Sequence, residues 1–86
     1  MNHIIWHNRA RRQVKKIPKH YREAILESVD ELAEFPKCEG LGITALKKHR
    51  YNYRMRVGRY RVLFDHDSDI RIIEIQEVKK RDERTY

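Results

Sequence analysis

The stretch from Tyr51 to Asp65 limits this chain more than any other. Tyr51, Tyr53, Met55 and Val57 fall on one side of it, and Asn52, Arg54 and Arg56 on the other. That period of two is the pattern of a half-buried strand. Gly58-Arg59 follows as a two-residue turn, with glycine at the first central position as type II′ geometry prefers. The turn sets the register: Val57 opposite Tyr60, Met55 opposite Val62, Tyr53 opposite Phe64. A bulge near Gly58 would shift it by one residue. In the unshifted register Arg56 stands against Arg61 with Arg54 one step along. Like charges directly opposite cost a sheet up to about 1 kcal/mol. The cluster reads in two ways. It holds an anion, with phosphate the leading candidate, or its stems cover apolar surface on a wet face.

The rest of the chain bounds what such a hairpin can belong to. Its 86 residues make a single domain, 1–86, with a thin core. Only 40% of residues are hydrophobic, 38% are charged, and the net charge of +7 suits a polyanionic partner. Cys38 is the single cysteine, and no Cys/His metal spacing occurs. This fits a reducing compartment, and no metal or cofactor is expected. No run reaches signal-peptide or transmembrane length, so the expected setting is cytoplasmic, with no membrane.

In chain order, His3-Ile-Ile-Trp-His7 reads as a short strand. Asn8 is a candidate cap for a first helix, in which Ala10, Val14 and Ile17 form a narrow stripe among Arg9, Arg11, Arg12, Lys15 and Lys16. Pro18 ends that helix and suits the first turn of a second. Over residues 18–35, Tyr21, Ile25, Val29, Leu32 and Phe35 form a core face, opposite Glu23, Glu27, Asp30, Glu31 and Glu34. Pro36 stops it. Residues 36–50 show no period, and Lys47, Lys48, His49 and Arg50 form a basic run into the hairpin. Asp65 to Asp69 is a polar turn, with His66 read as a surface residue. Residues 70–78 make a last strand, with Ile72 and Val78 on one face and Ile73 and Ile75 on the other, as in an interior strand. The expected fold is therefore α+β: β-α-α-β-β-β, two helices packed on a mainly antiparallel sheet.

No P-loop, Rossmann glycine pattern, HExxH or nucleophile elbow is present. Cys38 has no marked basic partner and reads as an inert thiol. What remains is a set of cations and tyrosines, able to orient a phosphodiester and stabilise charge building on phosphorus.

The element order, together with Leu46-Lys47-Lys48 leading into Tyr53-Arg-Met-Arg-Val-Gly-Arg-Tyr-Arg-Val62, resembles the RelE/ParE superfamily of bacterial toxins. The match runs over nearly the whole chain. The resemblance implies a toxin of a type II toxin–antitoxin system, neutralised by a cognate antitoxin. RelE-like members are ribosome-dependent mRNA endonucleases (mRNA interferases) acting in the 30S A site, beside 16S rRNA. ParE-like members inhibit DNA gyrase without nuclease activity. The tail, with Lys80, Arg81 and Tyr86, favours the RelE-like branch and a metal-independent endoribonuclease that inhibits translation.

Carried over by position, Arg54 and Arg56 match the basic pair of the first hairpin strand, and Arg61 the phosphate-stabilising arginine of the next. Arg81 matches the basic catalytic residue of the tail, with Lys80 as the alternative alignment, and Tyr86 matches the tail tyrosine. Lys47, Lys48, His49, Arg50, Lys79 and Lys80 are the expected RNA-binding residues. The implied reaction is attack of an RNA 2′-hydroxyl on its adjacent phosphate, which DNA cannot undergo.

Overall fold

The computed structural model describes residues 1–81. In order it contains β1 (His3–Trp6), α1 (Asn8–Lys15), α2 (Lys19–Glu31), a 3₁₀ turn (Leu32–Glu34), β2 (Gly42–Ala45), β3 (Tyr53–Val57), β4 (Tyr60–Asp67) and β5 (Ile72–Lys80). The strands form one sheet in the order β1-β5-β4-β3-β2. β1 runs parallel to β5, and the three other pairings are antiparallel. The α+β class and the two-helix arrangement are as expected, with one strand more than the sequence pattern shows. That strand, β2, lies at an edge and only Ile43 in it is half-buried, so it leaves no alternation to read.

Both helices cover one face of the sheet. Ala10, Val14 and Ile17 come down from the first helix and its exit, and Ile25, Val29 and Leu32 from the second, onto Met55, Val62, Phe64, Ile73, Ile75 and Val78. Phe35 continues the layer and meets Tyr53 and Phe64 edge-on. α1 starts at Asn8 itself, with His7 at the cap position making no capping side-chain bond, so Asn8 is not the cap. Pro18 sits at the cap of α2, one position before the first helical residue.

A bulge decides the faces of the last strand. Leu63 pairs with Glu77 but Phe64 pairs with Ile75, so Gln76 is an extra residue on β5. Beyond an inserted residue the alternation reverses. Val78 therefore joins Ile73 and Ile75 in the core and does not share a face with Ile72, and Glu77 turns to the opposite face. β1 ends opposite Ile75, which would leave the next stretch of β5 edge bare. The first helix covers it: His7 N–H donates to Ile75 O at 3.0 Å, and Gln13 Oε1 accepts from Val78 N–H at 2.7 Å.

Asn2 ties the N-terminus to the end of the helical layer. Its N–H donates to Ala33 O, and its Nδ2 donates to Leu32 O and Phe35 O. These carbonyls lie at the end of the helical layer, where acceptors run short of backbone donors, and Leu32 O also accepts from Phe35 N–H. His66 Nε2 bonds to Asn2 Oδ1 at 3.2 Å and its ring packs edge-on against Phe35, so His66 is a half-buried structural residue and not a surface one.

Candidate nucleic-acid interface

The face of the sheet away from the helices carries the cations. The hairpin has the unshifted register: Val57 pairs with Tyr60, Arg56 with Arg61, Met55 with Val62 and Tyr53 with Phe64. φ is +56° at Gly58 and is not positive at Arg59, the sign pattern of a type II′ turn. β5 extends the row, because Arg61 also pairs with Lys79. Across the sheet the row reads Gly42, Arg56, Arg61, Lys79. The next row reads Thr44, Arg54, Leu63, Glu77. Arg54 and Arg61 are half-buried and Arg56 and Lys79 are exposed. Among the described residues neither Arg56 nor Arg61 is in a salt bridge, and Arg61 Nε is buried with no hydrogen-bond partner.

This face has a dry patch of its own. Leu63 is buried on it, and so is Tyr51. Tyr51 thus does not share the core face with Tyr53, Met55 and Val57. Strand β3 begins only at Tyr53, and the preceding loop folds over the opposite face. There the Tyr51 hydroxyl donates to Glu77 Oε2 at 2.8 Å. Arg9 Nη1 lies 3.7 Å from the same carboxyl and Lys79 Nζ 3.6 Å. Burial works against ionisation of Glu77. The Tyr51 hydroxyl, then Lys79, Arg9 and Gln13, outweigh it and hold the carboxyl below its ordinary value. Burial, reinforced by the bond to Glu77, pushes the Tyr51 phenol up. Sequence reading missed Glu77. Its one mark is a lone acid between Ile75 and Val78, both buried in the core.

The tail residues separate by register. Lys80 pairs with Tyr60, on the helix side, whereas Lys79 pairs with Arg61. Arg81 continues the alternation beyond Lys79, and its N–H donates to Arg59 O at 2.7 Å. Tyr86 lies outside the described residues.

The basic run lies in the loop before the hairpin. Lys47, Lys48, His49 and Arg50 are all exposed, in the loop that carries Tyr51 over the sheet. His49 Nδ1 accepts from Tyr51 N–H at 3.0 Å, and the Arg50 guanidinium lies 5.4 Å from the centre of the Tyr51 ring. Arg50 lines a cleft with Asp65, Asp67 and Glu74, the acidic end of this face, so it stands apart from the arginine row. Cys38 is half-buried, and burial raises its thiol above the ordinary value, so it is a poor nucleophile.

These features place the chain among small proteins that present a cationic sheet face backed by a helical pair. The family model described as "ParE toxin of type II toxin-antitoxin system, parDE" matches residues 4–85. The chain belongs to that family, within the RelE/ParE superfamily, and is a toxin of a type II toxin–antitoxin system. Solved structures agree on the fold. The RelE–RelB complex of Pyrococcus horikoshii is 25% identical, with 95% of this chain and 97% of that one covered and a TM-score of 0.81. The isolated Escherichia coli RelE toxin is 17% identical, with 99% and 89% covered and a TM-score of 0.79. The RelB–RelE complex of Methanococcus jannaschii is 23% identical, with 88% of each chain covered and a TM-score of 0.72. No curated protein sequence matches the chain. Among the described residues no helix is long and apolar enough to cross a membrane.

Proposed function

We propose that the toxin is a ribosome-dependent endoribonuclease that cuts mRNA in the A site. The observation that supports this most is the row Arg56, Arg61, Lys79, which crosses three strands with no carboxylate against either arginine among the described residues. A folded sheet tolerates such repulsion best when a polyanion relieves it. In the reaction, the 2′-hydroxyl oxygen bonds to the adjacent phosphorus and the bond to the 5′-oxygen breaks. The products are a 2′,3′-cyclic phosphate and a 5′-hydroxyl end. Arg61 faces the phosphoryl oxygens, where charge accumulates, and Arg54 and Arg56 hold the strand. Arg81 lies on the side of Lys79 and is better able than Lys80, whose register points it to the helix side, to hydrogen-bond the leaving oxygen, which takes its proton from solvent water. Guanidinium groups stay protonated. Proton removal therefore falls to another group, for which Tyr86 is the candidate. Lys47, Lys48 and His49, exposed in the loop before the hairpin, are the candidates for backbone contacts. Arg50, beside its acidic cleft, is the weakest of the RNA-binding candidates. The working compartment is the cytoplasm, where ribosomes are.

Primer extension on mRNA in a translation extract tests this. Cuts that appear only with ribosomes support it. Intact mRNA together with stalled gyrase–DNA complexes would instead place the toxin with the gyrase inhibitors. The antitoxin is expected to bring acidic residues to the +7 surface. Its affinity should then fall with rising salt, because exposed charges are screened within about 8 Å at physiological ionic strength. Affinity that is flat from low to high salt would argue for an apolar interface.

A further inference from the structure

The cationic row has a fourth place that no side chain fills. Gly42 pairs with Arg56 on the edge strand, so the row runs from bare backbone to Arg56, Arg61 and Lys79. Nothing in the backbone requires this glycine. Its φ is not in the left-handed region, and a Cβ there would meet Arg56 Cβ at 3.5 Å, an ordinary contact. What the glycine does is leave space. A cleft of about 250 Å³ opens over it, lined by Leu41, Gly42, Ile43, Thr44, Arg54 and Arg56.

We propose that this notch is a nucleobase subsite, taking the base of the nucleotide whose phosphate lies on Arg56 and Arg61. The inference rests on the phosphate reading of the arginine row and adds where the base goes. Size allows it, since the cleft falls just under the range of about 300–1,000 Å³ that holds drug-sized ligands and leaves room for one planar ring system. The walls suit it as well. Arg54 and Arg56 come from the same strand on the same face, and guanidinium planes stack on bases. The floor is the peptide plane at Gly42, flat because no Cβ stands on it. The rim adds the Thr44 hydroxyl and the outer edge of β2, where Ile43 N–H is already held by Leu41 O at 2.9 Å and the edge carbonyls are left to meet the hydrogen-bonding edge of a base. Spacing agrees too. Gly42 is one strand step from Arg56 and two from Arg61, or roughly 5 and 10 Å. A phosphate between the two arginines therefore has its own nucleoside within reach of the notch. Free base-edge contacts with a strand edge would make this the place where the toxin discriminates among bases.

Two probes test it on the purified toxin. One is a trinucleotide of 2′-O-methyl RNA, which cannot be cleaved. The other is the same trinucleotide with an abasic residue at its centre. The wild type should bind the complete probe roughly fivefold or more tightly than the abasic one, the effect of one stacked base. Gly42→Val fills the notch with a residue suited to an edge strand. It should bind both probes equally, at the level of the wild type with the abasic probe. Gly42→Ala, the gentler change, should lie between, and a urea melt of each variant reports its fold. Arg61→Ala should weaken both probes alike. If Gly42→Val keeps the preference, or the wild type binds the two probes equally, the notch is not a base site. If Arg61→Ala binds as the wild type does, or the wild type binds neither probe, the phosphate reading itself falls and the notch with it.

Discussion

Arg56 and Arg61 stand directly opposite each other across the hairpin, and no carboxylate answers either of them among the described residues. The cost of that pairing is carried by the folded state, and on the proposed function a phosphate between the two arginines would offset it. Stability and activity should therefore respond in opposite directions when one partner is removed.

Arg61→Ala is the direct case. It relieves the repulsion and removes a buried Nε that has no partner. Stability should hold or rise, by up to about 1 kcal/mol. Loss of one charged donor at the phosphorus should slow cleavage by roughly 10²–10³. Arg61→Lys should recover only part of the rate, since an ammonium has no bidentate fork. A urea melt and a cleavage assay on the same preparation check both halves. A mutant that unfolds, or that cuts at the parent rate, refutes the site.

The Tyr51–Glu77 bond makes stability depend on pH. The folded-state value of Glu77 lies below its unfolded value, so its contribution is complete above the ordinary carboxylate value of about 4.3 and is lost as pH falls through the depressed one. Tyr51 shifts upward, so its contribution is complete below about 10 and is lost as pH rises through the raised value. Tyr51→Phe removes a hydrogen bond to a charged group and should cost about 1.5–3 kcal/mol at neutral pH. The difference from wild type should shrink in acid. Thermal melts across pH that show a constant gap would mean the bond does not stabilise the ionised acid.

Gly58 isolates a backbone effect. A Cβ there meets nothing within 4 Å, so only its φ of +56° resists substitution. Gly58→Ala should cost about 1–2 kcal/mol. Gly58→Asn should cost less, because asparagine tolerates positive φ. Equal losses for the two in denaturant melts would point to a side-chain clash instead.

Leu32 and Glu31 are neighbours with opposite fates. Leu32 is fully buried at the end of the helical layer and Glu31 is exposed. Leu32→Ala should cost about 2–5 kcal/mol, and Glu31→Ala less than about 0.5 kcal/mol. Similar losses would contradict the packing of this layer.

The hairpin was legible because two independent signals agree there: alternation along Tyr53–Val57 and a glycine where the turn needs one. The helix faces were legible for the same kind of reason, through Ala10, Val14, Ile25 and Val29. Other features had no local signal. Gly42–Ala45 forms a strand because β3 offers a free edge, not because of its own pattern. Gln76 carries no mark of a bulge, so the true positions of Glu77 and Val78 could not be read. Tyr51 continues the alternation of the strand after it, yet the chain breaks between them, and the buried cluster beneath the arginine row stayed hidden with it.

The parallel pairing of His3–Trp6 with Ile72–Ile75 has a consequence in time. A growing chain presents its first strand long before the strand that must lie beside it. Until β5 emerges, β1 has no neighbour, the edge-covering helix has no edge to cover, and Lys79 and Arg81 do not exist. Pairings so distant in sequence form late and slowly. Neither the sheet nor the row through Arg61 and Lys79 can close until β5 has been made, although every other strand precedes it in the chain.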